Sequence, residues 1–156
     1  MSAVVSDTSP LHYLVLCGAV DVLPALFGEV LIPPKVAQEL RHCRTPAAVR
    51  DWLATDPNWL KVQAPSRVDL ALPVDAGEGE AICLALEVGA RALLIDDRKG
   101  RTTASRLGLA VIGTLGILDA ASKRGLVDLA TVIDRLRHSN ARLDPELLTT
   151  LLRKMS

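Results

Sequence analysis

The chain has 156 residues, 49% of them hydrophobic and only 3% aromatic, and its Lys+Arg and Asp+Glu counts balance at 18 each for a formal net charge of +0. That length fits a single domain, residues 1–156, with one core filled by Leu, Val, Ile and Ala. The composition argues against a module that stacks bases on aromatic rings, and the balanced charge excludes global attraction to a polyanion, so a nucleic-acid role needs bound cations or a local basic patch.

Ala3 to Ser6 is a short apolar run that predicts a buried strand. Asp7-Thr8-Ser9-Pro10 follows and can cap a helix with Pro10 in its first turn, continuing from Leu11 to Cys17 and stopped by Gly18. Val20 to Phe27 reads as a second helical segment with Pro24 a blemish in its middle, and Glu29 to Ile32 as a strand halted by Pro33-Pro34. Short helices are expected over Lys35 to Arg41 and about Pro46 to Ala54, then a short strand within Trp59 to Gln63 and a loop from Ala64 to Asp75. Ala76 to Val88 predicts a strong helix closed by Gly89. Arg91 to Ile95 is the clearest strand and ends in Asp96-Asp97. After it come a helix over Lys99 to Leu107, a strand over Leu109 to Ile112 and a helix over Leu115 to Arg124. Helices near Asp128 to His138 and Asp144 to Lys154 complete the chain.

Apolar strands alternating with helices predict βαβ units, right-handed crossovers and a mainly parallel sheet of the α/β class. The last two helices, about 128–154, have no strand between them. Their apolar positions recur at helical spacing, which fits core packing, a cap on the fold, or a surface for a second subunit or partner.

Cys17, Cys43 and Cys83 are odd in number and far apart, with no C-x-x-C. They suggest neither zinc nor redox chemistry, and each is expected to be buried or semi-buried in a reducing compartment. No basic segment followed by a long apolar run opens the chain, and no stretch approaches the ~18–20 apolar residues of a membrane span. The expectation is a soluble cytoplasmic protein. No Gly-x-Gly-x-x-Gly follows the first strand, no Walker-type Gly-Lys-Ser/Thr occurs, and no Gly-x-Ser-x-Gly elbow is present. His12 and His42 read as helix-face residues, and His138 has no metal-like spacing to them.

The acidic residues carry the functional signal. Asp7 and Asp96-Asp97 directly follow strands, and open α/β sheets gather functional groups outside the carboxyl ends of their strands. Each has a bland reading as a helix cap. Glu39 fits an exposed helix face, and Glu78 and Glu80 fit a first turn that complements the helix dipole. Together, clustered carboxylates need cations, and hard oxygen ligands suit Mg²⁺ or Mn²⁺. Such ions lower the pKa of a bound water and stabilise charge on a phosphate under attack. Arg98, Lys99, Arg101 and Arg106 follow the acidic turn, either as a solvated helix face or as a grip on phosphates.

The segments Val5-Ser6-Asp7-Thr8-Ser9-Pro10-Leu11, Pro33-Pro34-Lys35-Val36-Ala37-Gln38-Glu39-Leu40, Gly77-Glu78-Gly79-Glu80-Ala81-Ile82-Cys83-Leu84-Ala85 and Leu94-Ile95-Asp96-Asp97-Arg98-Lys99-Gly100-Arg101 resemble, in that order, PIN-domain proteins. The stretch Gly108 to Leu118 resembles most the prokaryotic DUF3368-type branch. The resemblance spans roughly residues 3 to 125. It implies a three-layer α/β/α fold and a metal-dependent ribonuclease directed at single-stranded RNA. It also implies a toxin of a toxin–antitoxin pair, with an antitoxin as protein partner and a homodimer as assembly. By the same resemblance Asp7 is the first acid and Glu39 the second. The third is Glu78 or Glu80, and the fourth Asp96 or Asp97. Thr8 or Ser9 holds an outer-sphere water or a phosphate oxygen. The chain departs from the pattern at Ile95-Asp96-Asp97, where the better-studied toxins carry Thr/Ser-x-Asp/Asn, and in having Glu as third acid where Asp is common. Those departures keep open an alternative, a PIN-like module that binds RNA or protein without cleaving.

Overall fold

The structure, a computed structural model, describes residues 3–139. The chain runs β1 (Val4–Ser6), α1 (Thr8–Leu16), α2 (Val22–Phe27), β2 (Val30–Ile32), α3 (Pro34–Arg41), α4 (Ala47–Ala54), β3 (Leu60–Val62), α5 (Ala76–Val88), β4 (Ala92–Leu94), α6 (Arg98–Arg106), β5 (Val111–Ile112), α7 (Thr114–Lys123) and α8 (Leu129–Arg137). Five strands form one sheet in the order β3-β2-β1-β4-β5, and every pairing is parallel. The α/β class expected from the alternating pattern is what forms.

Side chains alternate across the sheet, and both faces are covered. Val4, Val30, Ile32, Ala92 and Leu94 join a core with α1, α2, α3, α4, α7 and α8. Val5, Leu31, Leu93 and Ile95 turn the other way, against Ala81, Ile82, Leu84 and Ala85 of α5 and Ala104 of α6. This is why β1, β2 and β4 are apolar throughout rather than alternating: all three are buried at every position.

The connections set the location of the site. From β1 the chain steps outward to β2 and β3, then α5 returns it across the sheet to β4 on the other side of β1. The direction of winding therefore reverses between β1 and β4. Such a switch point opens a crevice outside the carboxyl ends of the two strands, where open α/β sheets take ligands.

Local boundaries follow residue chemistry. Pro24 is no blemish, because α2 begins at Val22 and Pro24 falls in its first turn, where a missing N–H removes no helical bond. Gly89 closes α5 at φ +61°, in the left-handed region. Leu129, Val132, Ile133 and Leu136 of α8 are buried in the main core, so the apolar stripe of that helix packs inward. The helix expected over Asp144 to Lys154 lies outside the described residues. Cys17 is buried and Cys83 partly so, but Cys43 is exposed, contrary to expectation, because it sits in the turn that follows α3. His42 likewise lies just past α3 as its C-cap rather than on a helix face. Among the described residues no helix is long and apolar enough to cross a membrane.

A candidate acidic site at the sheet switch point

Asp7 leaves β1 at the crevice and occupies the N-cap position of α1, yet its side chain makes no cap hydrogen bond. Its backbone N–H donates to the Leu94 carbonyl at 2.8 Å, which ties it to the end of β4. The residue is 5% exposed. Burial pushes its carboxyl up to about 7; Asp75, Glu39 and Asp96 add repulsion, and the Thr8 backbone N–H opposes them.

Glu78 stands in the first turn of α5 and is 8% exposed. Burial, then the charges of Asp75, Asp7 and Asp97, push its carboxyl up to about 8. A glycine on α6 lets it sit there: a Cβ at Gly100 would stand 2.8 Å from Glu78 Oε2 and 2.7 Å from Ile95 Cδ1.

Glu39, on α3, accepts a hydrogen bond from the Thr8 hydroxyl. It also lies against the start of α5, where a Cβ at Gly77 would stand 2.5 Å from Glu39 Oε1. Asp96 leaves β4 and accepts from Thr114 twice, at 2.7 Å from the backbone N–H and 2.7 Å from the hydroxyl. A Cβ at Gly113 would stand 3.1 Å from Asp96 Oδ1 and 2.8 Å from Arg101 Nη1. Burial raises the Asp96 carboxyl, while Thr114 and the Arg101 charge pull it back down. Glycines 77, 100 and 113 thus each leave room for one carboxylate.

The ambiguous pairs separate. Glu80 accepts from the Lys35 backbone N–H at 3.1 Å, and so serves the first turn of α3, whose N-cap Pro33 offers no side-chain acceptor. Glu78 is the α5 acid on which the charges of Asp75, Asp7 and Asp97 act. Asp97 caps α6 through the Gly100 N–H at 2.9 Å, and the bland reading holds for its side chain, although its charge still reaches Glu78. Arg101 is half-buried beside Asp96. Arg98 and Lys99 are exposed on the first turn of α6, and Ser9 is half-buried in the first turn of α1.

Two participants were not singled out in the sequence. Asp75 caps α5 through the Glu78 N–H at 2.8 Å, and its charge raises both Asp7 and Glu78. The Asp75-x-x-Glu78 spacing, an N-cap acid followed three residues on by Glu, is the signal that marks it. Thr114, 1% exposed, fixes the Asp96 carboxylate; its only mark in sequence is a hydroxyl residue opening a helix after a strand.

Among the described residues the ion pairs are Lys123–Asp119 and His138–Asp134, so no basic side chain closes on Asp7, Glu39, Glu78 or Asp75. Two buried carboxylates, Asp7 and Glu78, with half-buried Glu39 and Asp96 and exposed Asp75 around them, are hard oxygen donors of the kind that suits a divalent ion. No three such side chains among the described residues already stand close enough together to hold one. The bonds to Thr114 leave each Asp96 oxygen a further lone pair.

The family model DUF3368, a PIN domain, matches residues 3–156. No curated protein matches. Among solved structures the chain is similar to a PilT N-terminus domain protein from the hyperthermophilic archaeon Sulfolobus solfataricus P2, at 19% identity and a TM-score of 0.53, over 78% of this chain and 93% of that one. A likeness at that identity concerns the fold alone.

Proposed function

The chain belongs to the DUF3368 family of PIN domains, which are generally nucleases, and on that premise we propose that it is a metal-dependent endoribonuclease acting on single-stranded RNA. The observation that carries the reading is Asp7. It is a carboxylate at a switch point, 5% exposed, spared from capping its own helix and facing the charges of Asp75, Glu39 and Asp96. A structural acid would be capped or paired; this one is costly to ionise unless a cation arrives.

Asp7, Glu39, Glu78 and Asp96 are the residues that would hold Mg²⁺ or Mn²⁺, with Asp75 and Asp97 adding charge from the rim. Such an ion supplies an acidified water and charge neutralisation at the phosphate. The chain does the positioning. Thr8 orients Glu39 through its hydroxyl, and Thr114 locks the Asp96 rotamer. Arg101 stands beside Asp96, where a guanidinium meets phosphate oxygens, and Arg98 and Lys99 on the exposed turn of α6 hold the strand further out. Ser9 offers a hydroxyl on the same turn as Thr8. The sequence resemblance supports a wider role: a cytoplasmic toxin, assembled as a homodimer and restrained by an antitoxin protein.

The test is incubation of purified protein with end-labelled single-stranded RNA in Mg²⁺, in Mn²⁺ and in chelator. Products with either metal, none in chelator, and a loss of roughly 100-fold or more in Asp7→Asn are the expected result. Cleavage that survives Asp7→Asn would overturn the assignment. A second reading, an RNA- or protein-binding module without turnover, is favoured by one observation: Asp75, Glu80, Asp96 and Asp97 all already bond helix N-termini. RNA retained without products in any divalent metal supports that reading instead.

A further inference from the structure

An open groove of ≈ 390 Å³ lies beside the acidic centre, lined by Thr8 and His12 of α1, Lys35 and Glu39 of α3, and His42 and Arg44 of the turn that follows. We propose that this groove is a ribonucleotide subsite that seats the nucleotide flanking the cut; the inference rests on the nuclease reading.

Its position comes first. Thr8 and Glu39, bonded to each other, form the wall shared by the groove and the acids. A nucleotide in the groove therefore brings its phosphate to the edge of the carboxylate cluster. The volume lies at the lower end of the ~300–1,000 Å³ typical of small-molecule sites.

The lining suits one nucleotide. Thr8 and His12 are four residues apart on α1 and so share a helix face. His12 is half-buried, set edge-on to Tyr13 with ring centroids 5.3 Å apart, and burial depresses its proton affinity. Its imidazole is a flat surface on which a base can stack. At the other end, the Arg44 backbone N–H donates to His42 Nδ1 at 3.0 Å. That bond fixes the ring and leaves its proton on Nε2, a donor for a ribose hydroxyl or a base edge. Lys35 and Arg44 supply cations for phosphate oxygens.

The groove is also held in shape. The Thr45 hydroxyl donates to the Glu39 carbonyl at 2.8 Å, and Arg50 Nε donates to the Thr45 carbonyl at 3.0 Å, pinning the turn to α3 and α4. Glu80 anchors the other end of α3 through the Lys35 N–H. A site held this way loses little entropy on binding. A purely acidic ligand fits it less well, because Glu39 forms one wall.

The four ribonucleoside 5′-monophosphates, titrated into ¹⁵N-labelled full-length protein with Mg²⁺ present, test the subsite. Saturable shifts should centre on Thr8, His12, Lys35, His42 and Arg44. The monophosphates should bind better than the matching nucleosides. Lys35→Ala and His42→Ala should each weaken binding roughly five-fold, the loss of one such contact. Arg44→Ala, which keeps the backbone donor to His42, provides an independent variant. With single-stranded RNA as substrate, the same changes should raise KM by a similar factor and move kcat little. Shifts that map elsewhere, or affinity unchanged in all three variants, overturn the subsite. Tighter binding of a poly-glutamate peptide at these residues overturns it in favour of an acidic protein segment. Cleavage with an unaltered KM in all three variants keeps the nuclease and removes the subsite. Nucleotide binding in the groove without RNA cleavage in any metal does the reverse.

Discussion

Glu78 lies against α6 because position 100 carries only a hydrogen. In Gly100→Ala the new methyl would meet Ile95 Cδ1 at 2.7 Å and Glu78 Oε2 at 2.8 Å, closer than packed atoms come. Glu78 is buried at the base of its helix and Ile95 is fully enclosed, so neither yields freely. Gly100→Ala should cost about 1–3 kcal/mol in urea unfolding and lower metal-dependent cleavage by displacing Glu78. Full activity in Gly100→Ala would mean that Glu78 has no catalytic part. Thr114 tests the opposite side of the cluster. Thr114→Val keeps the volume but removes the hydroxyl from Asp96 Oδ2, and should cost about 1 kcal/mol. Thr114→Ser restores the donor. If Asp96 acts in the reaction, kcat falls in the Val variant and returns in the Ser variant; a purely structural Thr114 would change stability without that split.

At the scale of elements, Glu80 links two helices through one bond. Its Oε1 takes the Lys35 N–H and completes the start of α3, which Pro33 cannot cap by itself. Glu80→Ala should destabilise the fold by about 1 kcal/mol, as lost caps do, while Glu80→Gln keeps an acceptor and should be milder. Because α3 carries Glu39, the Ala variant should also reduce activity while the divalent-metal optimum stays in place. A large loss in Glu80→Gln, in which only the charge is removed, would instead make Glu80 a ligand. This division of labour was hidden in the sequence. The elements themselves were legible, since buried parallel strands are short apolar runs and Pro33, Gly89 and Gly113 punctuate them. Asp7 and Asp96 were legible too, because the end of a strand fixes where a residue goes. The separation of Glu78 from Glu80, and of Asp96 from Asp97, depends on which helix packs opposite. Each pair sits in one turn of chain: α3 takes Glu80 at Lys35, while Asp97 caps its own α6 and Asp96 bonds the start of α7. Thr114 escaped for the same reason, its partner lying across β4 and β5.

At the scale of the whole molecule the raised carboxyls couple stability to pH, and the proposed metal site would couple it to divalent ions. Asp7 and Glu78 are raised from ordinary values of 3.8 and 4.5 to about 7 and about 8, chiefly by burial, and Asp96 is raised in the same direction. A carboxyl with a raised folded-state pKa binds its proton more tightly in the folded chain than in the unfolded one. The stabilisation is fully present below the unfolded value, near pH 4, and is lost as pH rises through the folded values near pH 7 and pH 8. Metal-free protein should therefore melt at a lower temperature at pH 8 than at pH 5, by several degrees for a loss of about 1–3 kcal/mol. Asp7→Asn should shrink that difference and raise the metal-free melting temperature at pH 8, although it removes activity. Divalent ions should act in the opposite sense. At the proposed metal site they would bind the ionised carboxylates of the folded state, so Mn²⁺ should raise the melting temperature at pH 8 and do little at pH 5, where protons occupy the same oxygens. The two curves, with and without metal, should converge towards acid and separate above neutrality. A metal-free melting temperature that is flat from pH 5 to pH 8 would show that the carboxylates are solvated rather than buried. An increment from Mn²⁺ that is equal at both pH values, and unchanged in Asp7→Asn, would place the bound ion somewhere other than the β1–β4 crevice.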